Sequence, residues 1–393
     1  MKKPICLALA LLLPVLATPG MTEEPPTYWE LYEKARTALK TGDHRTYADT
    51  MKLAVELLPA GDPNRATSLY ELARGQALAG EPEASLATLV RLWDEKAEAP
   101  LVFFAVTDAA FAAVRALPGF RALLGRVGEI QLQVIPVKGS LHRIEGAGCT
   151  LAASIGPDGI LLVDTGYGAL ADNVREALRK LAPNAQVRFL VNTHHHEDHS
   201  GGNARFASEA EVIGHSAARA ELSRPHDVFD QTLPGRPEAG LPTLTTDRAM
   251  TIHFNGEEIR ILPLPSHTVG DLAVVFAGSG VVHMGDTYFR SDPTPLLDPG
   301  KDVDAFLKNM EEVLRQIPEG SVVLTGHEPP VTGTDDLRTR LQNTRLAVDF
   351  LRARIAAGEG PEDIAKQVPK AGLPFSLPGP WLRFLYGRLT SRP

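Results

Sequence analysis

The amino-acid sequence predicts two architectures in one chain, an all-helical region followed by an α/β sandwich or layered sheet. Residues 27–126 are rich in Ala and Leu, and Gly or Pro separates their apolar segments, which is typical of successive helices. At about residue 130 the pattern changes to short apolar strands with Gly-rich turns, and then helices and strands alternate. That alternation predicts a layered α/β domain. The length of 393 residues is sufficient for two domains.

The composition is that of a folded, acidic protein. Hydrophobic residues make up 44% and charged residues 22% of the chain, which excludes a disordered chain, a coiled coil and a collagen-like rod. The formal net charge is −8 and the sequence has no basic cluster that would anchor RNA, so we expect no nucleic-acid partner. Two cysteines exclude a disulfide framework.

The N-terminus has the pattern of an export signal. Lys2 and Lys3 precede a short apolar run that ends near Ala17. An uncleaved anchor is the alternative, but the run is shorter than the ~20 residues that a stable membrane helix needs. We therefore predict that residues 1–17 are a signal peptide and that the mature protein is periplasmic or secreted, without a membrane segment.

The helical region, residues 27–126, contains two segments that resemble tetratricopeptide repeats. The first has the small, aromatic and terminating residues of such a repeat at Ala35, Ala38, Gly42, Tyr47, Met51, Ala54 and Pro59. The second fits less well, because Gly42 and Gly80 are 38 residues apart whereas the repeat has about 34. Two interpretations remain open: an ordinary helical bundle, or a repeat domain that binds a protein partner.

The elements of the α/β domain follow in order along the chain. Four strands, a helix and a fifth strand are predicted at Gln131–Val137, Leu141–Ile144, Thr150–Ile155, Ile160–Val163, Ala169–Leu181 and Val187–Val191. We expect helices and strands to alternate to about residue 325. The Pro- and Gly-rich stretch Arg224–Met250 is predicted to be a long loop without secondary structure, for which two interpretations remain open: a lid or substrate wall, or plain packing against the domain. A long amphipathic helix over 335–357 and a Pro-broken helical tail over 361–393 end the chain.

Histidines are concentrated in the α/β domain. Eleven of the twelve lie between His142 and His327, and the densest group is the H-x-H-x-D-H pattern of residues 194–199, directly after an apolar strand. Alternate residues beyond a strand can point the same way, so that His194 and His196 can share one metal. Asp198 and His199 can then face a second metal. Imidazole and carboxylate ligands suit Zn²⁺, and also Fe or Mn.

With these residues the sequence resembles the metallo-β-lactamase fold superfamily of hydrolases, over about residues 130–335. Four more segments match the motifs of that superfamily in order: Leu162–Gly166, Pro265–Asp271, His283–Thr287 and Thr325–Glu328. The resemblance implies an αββα sandwich as the catalytic domain, residues 130–335. Residues 336–393 would then be a C-terminal helical extension.

The resemblance also implies a ligand set for two Zn²⁺ per chain. The first metal would be held by His194, His196 and His267, and the second by Asp198, His199 and His327, with Asp286 as a bridge between them. It implies a metal-bound hydroxide as the nucleophile, which Asp198 would orient as the catalytic residue. Asp164 would act indirectly, by orienting a ligand histidine or by bracing its own turn.

The other histidines of this region are expected to lie outside the ligand set. His195 alternates with two ligands and should point away from them. Structural roles are expected for His215, His253 and His283, while His142 and His226 stay candidates for the cleft.

The predicted function is that of an exported zinc-dependent hydrolase that cleaves an ester, thioester, lactone or amide bond in a small molecule. Asp286 occupies a place where many β-lactamases of this fold carry Cys or Ser, and Asp resembles the thioesterase-, lactonase- and phosphodiesterase-like relatives. The C-terminal tail does not match the basic glutathione-binding tail of glyoxalase II-like enzymes. Two alternatives remain: a mononuclear iron sulfur dioxygenase-like enzyme, and a tetratricopeptide-type adaptor with a residual metal site.

Overall fold

The computed structural model describes residues 26–390 apart from 63, 96–98, 229–230, 289–296, 298–301 and 378. The predicted signal peptide, residues 1–17, lies outside these residues. The helices are α1 (Tyr28–Lys40), α2 (His44–Leu57), α3 (Arg65–Leu78), α4 (Pro82–Glu95), α5 (Phe104–Thr107), α6 (Ala112–Arg115), α7 (Pro118–Gly125), α8 (Ala171–Leu181), α9 (Glu197–Ser200), α10 (Asn203–Phe206), α11 (Ser216–Leu222), α12 (Val303–Gln316), α13 (Asp335–Ala356), α14 (Pro361–Ala365) and α15 (Gly379–Thr390). None of these helices is long and apolar enough to cross a membrane.

The predicted all-helical region is confirmed. Helices α1 to α4 pack in sequence, each against the next. Thr27 and Glu30 form a reciprocal cap at the start of α1, which satisfies backbone N–H groups that have no partner within the helix. Helices α2 and α3 approach closely, because a Cβ at Gly75 would lie only 3.0 Å from the Cα of Ala48. Short 3₁₀ turns at Ala99–Phe103 and Ala109–Phe111 flank α5.

Two sheets follow the helical region. Their strands are β1 (Gln133–Lys138), β2 (Leu141–Glu145), β3 (Leu151–Gly156), β4 (Gly159–Val163), β5 (Val187–Val191), β6 (Glu211–His215), β7 (His226–Val228), β8 (Gln231–Leu233), β9 (Leu244–Thr246), β10 (Met250–Phe254), β11 (Glu257–Pro263), β12 (Leu272–Phe276), β13 (Val281–His283), β14 (Val322–Leu324) and β15 (Val331–Thr332). The first sheet has the order β1-β2-β3-β4-β5-β6-β9, and its last three pairings are parallel. The second sheet has the order β10 to β15, with one parallel pairing, β13 to β14.

The two sheets face one another and helices cover both outer surfaces, so the predicted αββα sandwich is confirmed. The core between the sheets contains apolar side chains from both, including Leu161, Val163, Val191, Ile259, Val274 and Phe276. On the outer face of the first sheet, α8 and α10 contribute to a second core. On the outer face of the second sheet, α12, α13 and α15 contribute to a third. Apolar side chains on both faces of a sheet require this layered arrangement.

Two expectations about the middle of the chain are wrong. The segment Arg224–Met250 contains the hairpin β7–β8, a 3₁₀ turn at Glu238–Gly240 and the edge strand β9. Helices and strands also do not alternate between β7 and β13, where the described residues form successive strands without an α-helix. Three-residue strands have too little periodicity to be recognised. The hairpin β10–β11 did have a signal in the sequence, because Asn-Gly is the dipeptide that two-residue hairpin turns favour. In the structure Asn255 and Gly256 both have the positive φ of such a turn.

The helical region and the sandwich share one apolar core. Tyr167 and Leu170 of the sandwich are buried among side chains of the helices, including Leu69, Trp93, Val102 and Phe111. The side chain of Asn173 on α8 donates a hydrogen bond of 3.3 Å to the carbonyl oxygen of Val127. The predicted domain limits, 27–126, 130–335 and 336–393, stay a prediction.

Candidate metal centre

The first ligand-bearing loop begins where β5 ends in the parallel part of the first sheet. The backbone N–H of Asn192 donates to the carbonyl oxygen of Ile213 on β6 at 2.9 Å. The side-chain amides of Asn192 and Asn203 exchange two hydrogen bonds, of 2.7 and 3.0 Å. The loop is therefore tied at its start to β6 and to the helix α10. Ligand sites commonly lie at the carboxyl ends of such strands.

Three histidines form what we call the first ligand group. One ring nitrogen each of His194, His196 and His267 lies within 4.8 Å of the others, and all three side chains are buried. The Nε2 atom of His267 is 3.2 Å from Nδ1 of His196. Burial holds the pKa of His194 well below its usual value. The imidazole is thereby kept in the neutral form that binds metal ions.

Asp198, His199 and His327 form the second ligand group, again with ligand atoms within 4.8 Å of one another. Oδ2 of Asp198 lies 3.5 Å from Nε2 of His199 and 3.2 Å from Nε2 of His327. His327, in the loop after β14, is the exposed member of the group. The second group thus differs from the first in containing a carboxylate and in having an open side.

Asp286 lies between the two ligand groups. It follows β13 in a 3₁₀ turn, Gly285–Thr287. One carboxylate oxygen, Oδ1, is 3.2 Å from Nε2 of His199. The other, Oδ2, is 3.2 Å from Nε2 of His327 and 3.9 Å from Nε2 of His267. A single carboxylate therefore faces both groups.

The buried polar atoms of this cluster would be satisfied better by a metal ion than by hydrogen bonds to one another. His194 Nε2, His199 Nε2 and Asp286 Oδ1 are buried and have no hydrogen-bond partner. Each such atom costs about 1–3 kcal/mol unless something satisfies it. One atom from each of these three residues also lies within 4.8 Å of the other two. Cations would satisfy them together, and imidazole with carboxylate is the donor set of zinc sites. Metal binding by the seven predicted ligands stays a prediction.

Asp164 supports the second ligand group from behind. It adopts a left-handed backbone conformation, with φ of 62°. Its Oδ2 atom lies 2.8 Å from Nδ1 of His199, and its Oδ1 atom accepts a 2.7 Å hydrogen bond from the backbone N–H of Thr193. A proton held on Nδ1 leaves Nε2 of His199 with its lone pair directed toward the ligand group.

Asp271 has the corresponding position behind the first ligand group, a role that the sequence reasoning missed. Its carboxylate accepts hydrogen bonds of 2.7 Å from the backbone N–H groups of Ser266 and Thr268, on either side of His267. Burial raises its pKa above the usual value. The sequence carried a signal for this role, because Thr268 directly follows the predicted ligand His267 and Asp271 comes three residues after Thr268.

The hairpin β7–β8 lies beside the ligand loop. The ring of His226 on β7 is 5.4 Å from the ring of His195, which in turn is 5.0 Å from that of His196. Arg236, just after the hairpin, forms an ion pair of 2.7 Å with Glu197 and also donates to the carbonyl oxygen of Ser200. The segment predicted to be a lid or substrate wall thus contacts the ligand loop through side chains.

The remaining histidines of the sandwich lie outside the two ligand groups. His283 is buried, with Nε2 2.9 Å from the carbonyl oxygen of Thr150 and Nδ1 accepting from Gly285 N–H. His215 caps α11, and His253 is exposed on β10. His142 on β2 has its Nδ1 3.3 Å from the carbonyl oxygen of Ser140.

Comparison with known families identifies the class that this fold and site define. Residues 148–352, just over half of the chain, match the model of the metallo-beta-lactamase superfamily. The chain therefore belongs to the metallo-beta-lactamase superfamily, as its motifs predicted.

Individual relatives cover only part of the chain. The hydroxyacylglutathione hydrolase of Synechococcus sp. (strain JA-2-3B'a(2-13)) is 31% identical over 165 residues, which are 41% of this chain and 56% of that protein. The hydroxyacylglutathione hydrolase of Gloeobacter violaceus is 31% identical over 47% of this chain and 69% of that protein. The 2,4-dinitroanisole O-demethylase subunit alpha of Nocardioides sp. (strain JS1661) is 29% identical over 46% of this chain and 53% of that protein. The chain thus spans little more than half the length of most of these relatives.

Among solved structures, the sec-alkylsulfatase Pisa1 from Pseudomonas sp. aligns with a TM-score of 0.50 and 20% identity, over 66% of this chain and 50% of that one. At this identity the likeness concerns the fold alone. The family and the hydrolase names among the relatives support the predicted enzyme class, a metal-dependent hydrolase.

Proposed function

We propose that this protein is an exported dinuclear zinc hydrolase whose preferred substrates are small-molecule thioesters. The observation that carries the proposal is the position of Asp286, whose carboxylate lies within 3.2–3.9 Å of histidines from both ligand groups. A carboxylate placed in this way suits a bridge between two cations. Two bound zinc ions would supply Lewis acidity toward a carbonyl oxygen and a water activated at neutral pH.

The residues of the chain prepare this chemistry by their positions. Asp164 holds His199 through Nδ1, so that Nε2 faces the ligand group. Asp271 holds the backbone on both sides of His267. Asp198, buried between His199 and His327, orients the attacking water and accepts its proton. A site prepared before substrate binds needs little rearrangement in the transition state.

The thioester preference is taken from the names of the relatives. Hydroxyacylglutathione hydrolases are 31% identical to this chain over 41–47% of its length, and the superfamily match over residues 148–352 contains all seven predicted ligands. The C-terminal tail of this chain does not match the basic glutathione-binding tail of glyoxalase II-like enzymes. The thiol portion of the substrate is therefore proposed to differ from glutathione, while the acyl-sulfur bond is the same.

Metal content and a substrate panel test the proposal together. Zinc and iron are measured by elemental mass spectrometry on protein purified without added metal, for the wild type, His196→Ala and His253→Ala. We expect about two zinc per chain, fewer in His196→Ala, and no change in His253→Ala, because His253 is exposed on β10 outside the ligand groups. The panel contains a hydroxyacylglutathione, a thioester of a different thiol, an ester, a lactone, an amide, an alkyl sulfate and a β-lactam.

The outcomes separate the alternatives. Faster hydrolysis of thioesters than of all other substrates supports the proposal, with glutathione expected to be the poorer thiol. One iron per chain together with oxygen uptake would contradict the zinc hydrolase and support the dioxygenase-like alternative. If the protein binds no metal, the adaptor is the alternative that remains. A protein partner that binds the helical region would then be sought.

Export is tested separately. N-terminal sequencing of the protein from fractionated bacterial cells should find a new terminus just after Ala17, in the periplasmic or secreted fraction. A cytoplasmic protein that begins at Met1 would contradict the export proposal and leave the hydrolase proposal intact.

A further inference from the structure

One side chain of the sandwich enters the core of the helical region. Tyr167 belongs to the turn that follows β4, and its side chain is only 2% exposed. Its ring lies 5.1 Å from the ring of Phe104 at 80°, and 6.2 Å from that of Phe103 at 52°. The contact with Phe104 is edge-to-face, a geometry that stabilises aromatic pairs beyond the area they bury.

Gly148 lies close to both the Tyr167 ring and the ligand loop. A Cβ at Gly148, where φ is +110°, would overlap the Tyr167 ring and would lie 3.3 Å from Cβ of Asp198. The ring, the Gly148 backbone and the side chain of Asp198 therefore converge at one point. A side chain at Gly148 would have to displace the Tyr167 ring, and the positive φ would strain any residue other than glycine.

The turn that carries Tyr167 is also the backbone support of the second ligand group. Thr165 donates to the carbonyl oxygen of His199 both from its backbone N–H at 2.8 Å and from its hydroxyl at 3.1 Å. The N–H of Gly202 donates to the Thr165 hydroxyl at 3.0 Å. A displacement of this turn would therefore move His199 directly.

The helical side of the contact is anchored by a buried ion pair. Asp108, which follows α5, lies 2.8 Å from the guanidinium of Arg74 on α3 and accepts a 3.1 Å hydrogen bond from Tyr70. Arg115 donates to the carbonyl oxygen of Asp108 at 2.7 Å. These bonds hold the segment containing Phe103 and Phe104 against α3, so that it forms a firm surface for Tyr167.

We infer that Tyr167 is a positioning residue through which the helical region holds the second ligand group in its geometry. The helical region is then a structural part of the metal centre, and its removal impairs metal binding. This inference rests on the proposed function, because it requires a metal in the second group.

The experiment compares the full-length wild type with Tyr167→Leu, Tyr167→Phe and Phe120→Leu. Phe120 on α7 is the matched control, because it is buried in the same helical core. Zinc affinity is measured in two steps by chelator competition, at a temperature where circular dichroism shows every variant folded. We expect Tyr167→Leu to weaken the second step by about 10–100-fold, as typical for residues that support a ligand, and to leave the first step unchanged.

The conservative and control variants distinguish positioning from general stability. Tyr167→Phe keeps the ring and should bind zinc like the wild type. Phe120→Leu should lower the melting temperature without changing either zinc affinity. If Tyr167→Leu does not fold, Phe104→Leu decides, because it removes the 5.1 Å ring contact and leaves Tyr167 in place.

Unchanged zinc affinity in the folded Tyr167→Leu or Phe104→Leu protein would overturn this inference alone. Equal weakening in Phe120→Leu would also overturn it, because the effect would then follow stability. A wild type that binds no zinc would overturn the proposed function as well, so the two failures are distinguishable.

Discussion

The two ligand groups of the metal centre are built differently. The first consists of three buried histidines, whereas the second contains the carboxylate of Asp198 and the partly exposed His327, whose side chain keeps 33% of its accessible surface. The first needs only two loops, after β5 and after β11. The second requires the β5 loop, the turn that carries Asp164 and the loop after β14. The second group therefore depends on more of the tertiary structure than the first group does.

The electrostatic environments differ as well. In the first group, burial holds the pKa of His194 well below its usual value. In the second group burial also acts to lower the pKa of His199, but the negative groups around it, among them Asp286 and Asp198, outweigh burial and raise this pKa well above its usual value. A cation that binds His199 therefore displaces a proton, whereas His194 is already in the neutral form that binds a cation.

The largest expected effect comes from the residue that joins the groups. Asp286→Asn keeps the shape of the side chain but removes its charge, so zinc occupancy should fall in both groups. The loss of kcat/KM should exceed the ~10–100-fold that is typical of residues outside the ligand set. Elemental analysis and kinetics on the same preparation measure both. Asp302→Asn at the start of α12 is the control, because Asn caps helices as well as Asp does. Two zinc ions and full activity in Asp286→Asn would exclude a bridging role.

Gly326→Ala should damage the second group more than the first. A Cβ at Gly326 would overlap the Asp286 carboxylate and lie 3.1 Å from Cε1 of His199, while nothing lies within 4 Å of a Cβ at Gly360. Neither glycine has a positive φ, so Gly360→Ala is a matched control for the substitution itself. We expect about one zinc per chain in Gly326→Ala and two in Gly360→Ala. Equal zinc content in Gly326→Ala and Gly360→Ala would show that the backbone at Gly326 can shift to accommodate the methyl group without disturbing the predicted ligands.

The smallest effects should distinguish the two groups by their supporting carboxylates. Asp164→Asn should weaken zinc binding to the second group by about 10–100-fold, and Asn tolerates the left-handed conformation at this position. Asp271→Asn should weaken the first group by less, because Asp271 acts through backbone N–H groups and not through a ligand ring. Two-step chelator competition measures both. The comparison fails if each variant weakens both steps equally.

The candidate ligands could be proposed from the sequence because each lies in a short motif at the end of an apolar strand. His194, His196, Asp198 and His199 are within six residues of one another, and local spacing alone indicates that they converge. His267, Asp286 and His327 were assigned from the resemblance, and the structure brings them to the same place. Signals for the Asn255-Gly256 turn and for Asp271 were present but not used.

Other features have no local signal. Nothing in the residues around Tyr167 indicates that its ring packs on Phe104, which lies 63 positions earlier in the sequence and in a different region. The hairpin β7–β8 has strands of three residues, and these become strands only because they pair with each other and contact the helical region and the ligand loop.

The sequence by itself therefore determined the superfamily, the αββα sandwich and the helical region before it, and it predicted the candidate metal ligands. These depend on hydrophobic period and on motifs of a few residues, which act over short distances along the chain. Only the tertiary structure decided that the helical region and the sandwich share a core, that Tyr167 connects them, and that the hairpin β7–β8 lies beside the ligand loop. These contacts join side chains distant in sequence, and close packing of the folded chain alone selects which of them form.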